Sequence, residues 1–282
     1  MNGVYAIVVT YNPDKGILRK QYETIAGQVD GIIYIDNNSQ NRSFLAELEL
    51  RGALVICNNN NVGLAKAQNQ GIALAKEKNS DFIFLLDQDS IPEDKCVEKL
   101  LACYKELGTW KKVAVIGPII KNRYDNDKLN NKGILLIGPF VYRIVIGKVT
   151  DVSFCIASGS LIPMKVFENV GTMKEKLFID SIDQEWCFRA KSRGYKIFQT
   201  NTTWISHTLG NGRDDKIRSH SPLREYYIIR NSIWMSRQKY IPLGYRMRKV
   251  FMIVCRVFFS LIRGDKAYFK SGVSGLIDGR KL

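Results

Sequence analysis

The sequence predicts an α/β fold, a helix-covered sheet whose first strands run parallel, followed by a basic helical extension at the carboxyl end. Three observations predict it. Over the first 120 residues, short apolar runs alternate with segments of helical period, the pattern that βαβ units leave. Polar residues gather directly after the apolar runs, where an open α/β sheet places its ligand crevice. From Lys216 onward the chain turns helical and strongly basic. A length of 282 residues and an apolar fraction of 45% suit one large folded domain with an extension, without repeats or low-complexity linkers.

Taken in order, Val4 to Val9 is the first strand and ends at Thr10, Tyr11 and Asn12. Asn12-Pro13 then opens a helix, with proline at a tolerated first position. Gly31 to Ile35 is the second strand, followed by Asp36, Asn37 and Asn38, and Leu54 to Cys57 is the third, followed by Asn58 to Asn61. Val62 to Lys78 reads as a helix with small and apolar residues on one face. Phe82 to Leu86 is the fourth strand and ends on Asp87-Gln88-Asp89; Ser90-Ile91-Pro92-Glu93 then offers a helix start. Val113 to Gly117 is a fifth strand. Lys121 to Asp151 reads as loop plus β-strands around the turn-rich KNRYDNDKLNNKG. Phe154 to Ile162 is a strand leading through Ala157-Ser158-Gly159-Ser160 into a short helix near Pro163. A helix from Ile182 to Arg193 stops at Gly194, and Tyr195 to Gln199 and Thr203 to Ser206 are short strands.

Composition narrows the function classes. The six cysteines show no CxxC pairing, which suits reduced thiols rather than a zinc site or a disulfide framework. The amino terminus runs directly into a strand with no signal-peptide pattern, an expectation of cytoplasmic location. Residues 216–282 hold fifteen Lys or Arg against Glu225, Asp265 and Asp278, so this segment carries +12 of the net charge of +15. Within it, Val250 to Ile262 is apolar apart from Arg256 and too short for a span of about 20 residues. Two readings stand for this stretch: a cationic amphipathic helix lying on an anionic membrane, or a helix packed on the domain with its arginines in water. The aromatic and apolar interleaving fits lipid or core better than nucleic acid, and no nucleic-acid partner is expected.

The chemistry starts at Asp87-Gln88-Asp89. Two carboxylates two residues apart reach the same space when the backbone turns between them, a geometry suited to Mg²⁺ or Mn²⁺ bridging carboxylate and phosphate oxygens. The same triplet also occurs as a cap or a solvated turn.

In chain order VTYN, DNNS, NNVGLAKAQNQG and LLDQD resemble the donor-binding signatures of the family 2 glycosyltransferases with the GT-A fold. The resemblance implies a GT-A α/β domain with a mixed sheet over residues 1–215 and a basic helical extension over 216–282. Residues 1–120 would be its sugar-nucleotide-binding half and 121–215 its acceptor-binding half. It implies Thr10, Tyr11 and Asn12 around the base, Asp36 and Asn38 toward base and ribose, and Asn61, Gly63 and Asn69 near the nucleotide with Asp87 and Gln88. Glycine at 63 would permit close approach to the ligand, and the helix starting there would turn N–H groups toward phosphate.

A base is needed for the acceptor hydroxyl. Phe178-Ile179-Asp180-Ser181-Ile182-Asp183-Gln184-Glu185-Trp186 resembles the family's acidic segment in its rhamnosyltransferase branch, FID-x-x-D-x-EW. Asp183 then takes the base position, and Glu185 and Trp186 fall near donor sugar or acceptor. Ile182 departs from the usual acidic residue before the base, and Asp180 is open between sugar recognition and structure. By the same resemblance His207 joins Asp87 and Asp89 on the metal or stays structural, Ser158 and Gly159 shape the sugar site, and Arg224 or Arg230 meets the diphosphate.

The expected activity is inverting transfer of L-rhamnose from dTDP-L-rhamnose to a glycan or lipid-linked glycan in bacterial surface-polysaccharide synthesis. UDP-hexose donors are the alternative. Peripheral contact with an anionic membrane and homo-oligomers belong to the same expectation. A nucleotidyltransferase would need a glycine- and arginine-rich triphosphate loop near the amino terminus, and none is present.

Overall fold

The computed structural model describes residues 3–108, 112–122, 128–138, 140–207 and 221–282. The expected boundary at 215/216 and His220 lie outside these residues.

The strands are β1 (Val4–Thr10), β2 (Gly31–Asp36), β3 (Leu54–Cys57), β4 (Phe82–Asp87), β5 (Ile91–Pro92), β6 (Val113–Asn122), β7 (Lys128–Asn130), β8 (Lys132–Ile137), β9 (Phe140–Val145), β10 (Thr150–Val152), β11 (Ser160–Pro163) and β12 (Lys196–His207). The helices are α1 (Lys15–Ile25), α2 (Ser43–Leu50), α3 (Leu64–Glu77), α4 (Cys96–Leu107), α5 (Met164–Val170), α6 (Ile182–Ser192), α7 (Pro222–Ser236), α8 (Leu243–Ile262) and α9 (Lys266–Lys281).

The main sheet runs β10-β12-β6-β11-β4-β1-β2-β3, with β5 on β12 and β7 on β6. The β3-β2-β1-β4 portion is parallel and β11 runs antiparallel between β4 and β6, so the sheet is mixed as expected. Both faces of the sheet are covered, one by the cluster containing Ile7, Ile35 and Trp186, the other by the cluster containing Val8, Tyr34 and Leu100. Register decides where the site falls. Thr10 pairs with Asp36, Asp36 with Cys57, and Val9 with Asp87, so the carboxyl ends of four strands finish on one line.

Several boundaries differ from expectation. The first helix starts at Lys15 rather than Pro13, because Asp14 accepts from the Ile17 N–H (2.9 Å) and caps it. Ile91-Pro92 does not begin a helix; it pairs with Ile205 and Ser206 as β5, and α4 starts at Cys96. The strand expected from Phe154 is shortened to β11, since the turn at Ala157 to Gly159 interrupts the pairing. The two strands expected at 195–199 and 203–206 are one strand, β12, with a register shift between Thr200 and Trp204. There Thr200 and Thr202 hydroxyls bond each other (2.8 Å) and Asn201 N–H reaches Gly147 O (3.1 Å) instead of the neighbouring strand. The six cysteines are free thiols.

Candidate active site

A cleft of about 710 Å³ opens at the aligned strand ends. A second cavity, of about 620 Å³, is lined by α4 and the turn after α1 and shares no residue with it.

β1 delivers Thr10 and Tyr11. The Thr10 side chain is buried and donates to Asp36 (3.0 Å), whereas Tyr11 is half exposed at the cleft. The Gln88 amide spans Tyr11, accepting from its N–H (2.7 Å) and donating to its carbonyl (3.3 Å), which splints the ends of β1 and β4. On the far side of that turn, buried Gln21 of α1 donates to the carbonyls of Asp87 (2.8 Å) and Ser90 (2.5 Å). The DQDS turn is therefore held by side chains from two other elements.

Asp87, Asp89 and His207 converge, with one ligand atom from each within 4.8 Å of the others. His207 ends β12, and the pairing of Ile91 with Ser206 sets Ser90 beside it. The Asp87 N–H donates to Ser158 Oγ (3.0 Å), Ser158 donates to Ser90 Oγ (2.7 Å), and Ser90 Oγ meets His207 Nδ1 at 2.8 Å. Nδ1 is thus anchored, and Nε2 is the ring nitrogen on the Asp87 side, 3.9 Å from Oδ2. Two carboxylates and an imidazole form a donor set that fits Mn²⁺ or Mg²⁺. Burial raises the Asp87 carboxyl above its usual range, helped by Asp89 and opposed by His207 and Arg224.

Asp183, in the first turn of α6, lines the same cleft. Its carboxyl is pushed up to about 6, chiefly by burial against the cleft wall and further by the charges of Asp87 and Asp180, while the Gln184 N–H (2.8 Å) works against the shift. The segment before it is unusual: Phe178, Asp180 and Ser181 all have φ near +64°, a region that costs a non-glycine residue about 1 kcal/mol or more. Helix α7 holds it. The fully buried Asn231 amide donates to the carbonyls of Leu177 (2.8 Å), Ile179 (2.6 Å) and Asp180 (2.9 Å). Arg224 pairs with Asp180 (2.9 Å), and Tyr227 stacks on Phe178 with ring centroids 4.8 Å apart.

Thr10, Tyr11, Asn61, Gly63, Asp87, Gln88, Asp89, Asp180, Asp183, His207 and Arg224 all line the cleft. Others expected there serve the framework. Asp36 is enclosed, accepting from Thr10, Ser39 (2.9 Å) and Arg42 (3.0 Å). Asn12 and Asn38 accept from Gln40 N–H (2.9 Å) and Arg42 (2.7 Å). Asn69 binds both the N–H and the carbonyl of Met173 (2.9 and 3.0 Å), clamping α3 to the chain before α6. Glu185 is buried with Arg189 (2.8 Å) and Tyr240 (2.6 Å), and the Trp186 indole donates to Gly171 O (2.8 Å). Arg230 donates to the carbonyls of Lys176 (2.7 Å) and Leu177 (2.8 Å) rather than facing the cleft. Ser158 and Gly159 form the turn behind Asp87, where Gly159 N–H reaches Leu85 O (2.7 Å).

Gly63 requires a correction of reason. Its φ is +86°, and a Cβ there would sit 2.5 Å from the Phe178 ring, so the close approach is to the chain itself. The Phe178 carbonyl also accepts from Leu64 N–H (2.6 Å) and Ala65 N–H (3.4 Å), so these N–H groups at the start of α3 are occupied.

Sequence reasoning missed Gln68. It lines the cleft from α3, is 4% exposed, and its Oε1 is buried without a hydrogen-bond partner. Its signal was its place four residues after Leu64, on the same helix face.

A half-sheet with aligned polar strand ends, an ion-binding triad and an opposing carboxyl of raised pKa is the arrangement of an enzyme that transfers a group from a nucleotide-linked donor. Residues 5–171 match the family Glycosyl transferase family 2. The chain is 32% identical over 292 aligned residues to the dTDP-rhamnosyl transferase RfbF of Shigella flexneri, covering 99% of this chain and 95% of that protein. Among solved structures it is similar to S. aureus TarS 1–349 in complex with UDP-GlcNAc (14% identity, TM-score 0.62, 97% of this chain and 81% of that one). It is also similar to GalNAc-T7 with UDP, GalNAc and Mn²⁺ (13% identity, TM-score 0.62), covering 88% of this chain but spanning only 54% of that one. The chain belongs to glycosyltransferase family 2 and has the GT-A fold.

Proposed function

We propose that this glycosyltransferase moves L-rhamnose from dTDP-L-rhamnose to a hydroxyl of a glycan or lipid-linked glycan, with inversion. The observation that carries the donor is the near end-to-end similarity to a dTDP-rhamnosyl transferase. The catalytic division of labour rests on the placement of Asp183 across the cleft from Asp87, Asp89 and His207.

Tyr11 offers an exposed ring for the nucleobase, and the Gln68 carbonyl seeks a donor from the same ligand. Asp87, Asp89 and His207 would hold a divalent cation, which when bound would neutralise charge on the diphosphate leaving group. Asp183 removes the proton from the acceptor hydroxyl as its oxygen bonds to the anomeric carbon, and the carbon–oxygen bond to the diphosphate breaks on the opposite face. A β-linked donor then yields an α-linked rhamnoside. With its carboxyl at about 6, Asp183 is ionised at neutral pH yet retains more affinity for a proton than an ordinary aspartate. Arg224, which lines the cleft, pairs with Asp180 and feels the charge of Asp87, is the residue proposed to meet the diphosphate. Residues 1–215 form the catalytic unit in this reading, with 216–282 an extension that reaches back to brace it. Synthesis of bacterial surface polysaccharide is the proposed setting, and peripheral attachment to the inner face of the cell membrane is part of it.

Donor hydrolysis and transfer with dTDP-rhamnose, UDP-glucose, UDP-galactose and UDP-N-acetylglucosamine, each with Mn²⁺ or EDTA, test the reading. Metal-dependent release of dTDP alone, abolished in Asp183→Asn with donor binding intact, is the expected result. Release from a UDP sugar instead would overturn the donor and keep the mechanism.

A further inference from the structure

Helix α8 turns an apolar face away from the protein. Tyr245, Ile253 and Ser260 are buried on its inner side. Met247, Phe251, Val254, Phe258, Leu261 and Ile262 are between 56% and 69% exposed. At 3.6 residues per turn those six form one stripe opposite the buried side. Arg246 and Arg248 flank it, and the helix contains no Asp or Glu.

A second element shares the property. The β8–β9 hairpin is a separate two-stranded sheet, and Ile137 pairs with Phe140 at its tip. Ile137 is 57%, Phe140 62% and Tyr142 44% exposed, and β9 packs against α8. Isolated exposed apolar residues need no explanation, but exposed apolar residues gathered on two elements in contact do.

We propose that the α8 stripe and the hairpin tip together dock this protein flat on an anionic lipid bilayer. Charge selects this occupant over a second copy of the chain. A self-contact through α8 would bring together two helices without a carboxylate, in a region carrying +12, whereas anionic headgroups neutralise the same cations. Crossing the bilayer is not an option for α8, since no helix among the described residues is long and apolar enough. The helix also touches the catalytic segment: the Tyr245 hydroxyl donates to Gln184 (2.6 Å), next to Asp183, and its ring packs on Phe188. Resting on the glycosyl-transfer reading, the docked helix holds the base close to the plane where a lipid-anchored hydroxyl arrives.

Co-sedimentation of the full chain with vesicles of phosphatidylcholine, alone or with about 30% phosphatidylglycerol, tests the dock. Wild type is expected on the anionic vesicles only, with binding weakened by raised salt. Phe251→Glu combined with Phe258→Glu, and separately Phe140→Glu, should each weaken binding at least tenfold while donor hydrolysis stays at the wild-type rate, which reports an intact fold. Absence of wild-type binding, or variants that bind as tightly as wild type, would overturn the dock. A wild-type dimer that becomes monomeric in the α8 variant without vesicle binding in either would assign the stripe to self-association instead. Vesicle binding without turnover of any donor keeps the dock and removes the transfer reading.

Discussion

Asp183, the proposed base, carries a stability cost that follows from its raised pKa. Its folded pKa, about 6, exceeds the ordinary aspartate value of 3.8, so the folded state binds the proton more tightly than the unfolded chain. The associated stability is complete below pH 4 and is lost as pH rises through 6. Asp183→Asn should therefore be more stable than wild type at pH 7 by about 1–3 kcal/mol, seen as a higher melting temperature that converges with wild type near pH 4 in a thermal-shift series, while transfer falls by about three orders of magnitude or more. The rate of the wild type should rise between pH 5 and 7 with a midpoint near 6; a flat profile would remove Asp183 as base. Gln68 gives the complementary case. An unpaired buried carbonyl costs about 1–3 kcal/mol, so Gln68→Leu is expected to melt no lower than wild type but to bind donor roughly tenfold more weakly, read by calorimetry. Asp87 and Asp89 stood out in sequence as paired carboxylates ending an apolar run, and Asp183 through the resemblance of its acidic segment; all three line one cleft. Gln68 did not stand out, since an unpaired amide is defined only by the neighbours that fail to reach it.

At the scale of elements, α7 decides the shape of the acidic segment. The left-handed residues at 178, 180 and 181 are held by Asn231 through three carbonyls and by the Arg224–Asp180 pair. Asn231→Ala should cost about 2–3 kcal/mol in urea unfolding and lower kcat more than donor KM, because the segment ending at Asp183 loosens while the nucleotide side of the cleft is untouched. Gly63→Ala acts on the same segment from α3, where a Cβ would enter the Phe178 ring and the backbone is left-handed; a loss of about 2–4 kcal/mol is expected. Strand positions were largely readable from apolar runs, whereas the continuity of β12 and the β5 pairing were not. Both depend on which distant strand supplies the hydrogen bonds, and Ile91-Pro92 alone carries no record of Ser206.

For the whole molecule, the extension is structural as well as basic. Arg230, Asn231, Tyr240 and Tyr245 all bond to residues between 176 and 185. A chain ended at residue 215 should lose transfer activity and the cooperative melt of the full chain, seen by circular dichroism. The amphipathic pattern showed that these helices exist, but their polar contacts with the acidic segment join residues about 45 to 60 positions apart and could not be counted from spacing. The Phe178 carbonyl at the start of α3 has a consequence for the order of events. The helix start expected to turn its positive end toward phosphate is instead turned on the protein, and Arg224 is shared with Asp180. In the proposed reaction a doubly negative diphosphate enters a cleft lined by Asp87, Asp89, Asp180 and Asp183, so without a cation the cleft would repel the donor. Ion and donor should consequently enter as one charge-balanced unit: nucleotide affinity should collapse in EDTA rather than decline modestly, and ion affinity should rise by the same factor when nucleotide is present.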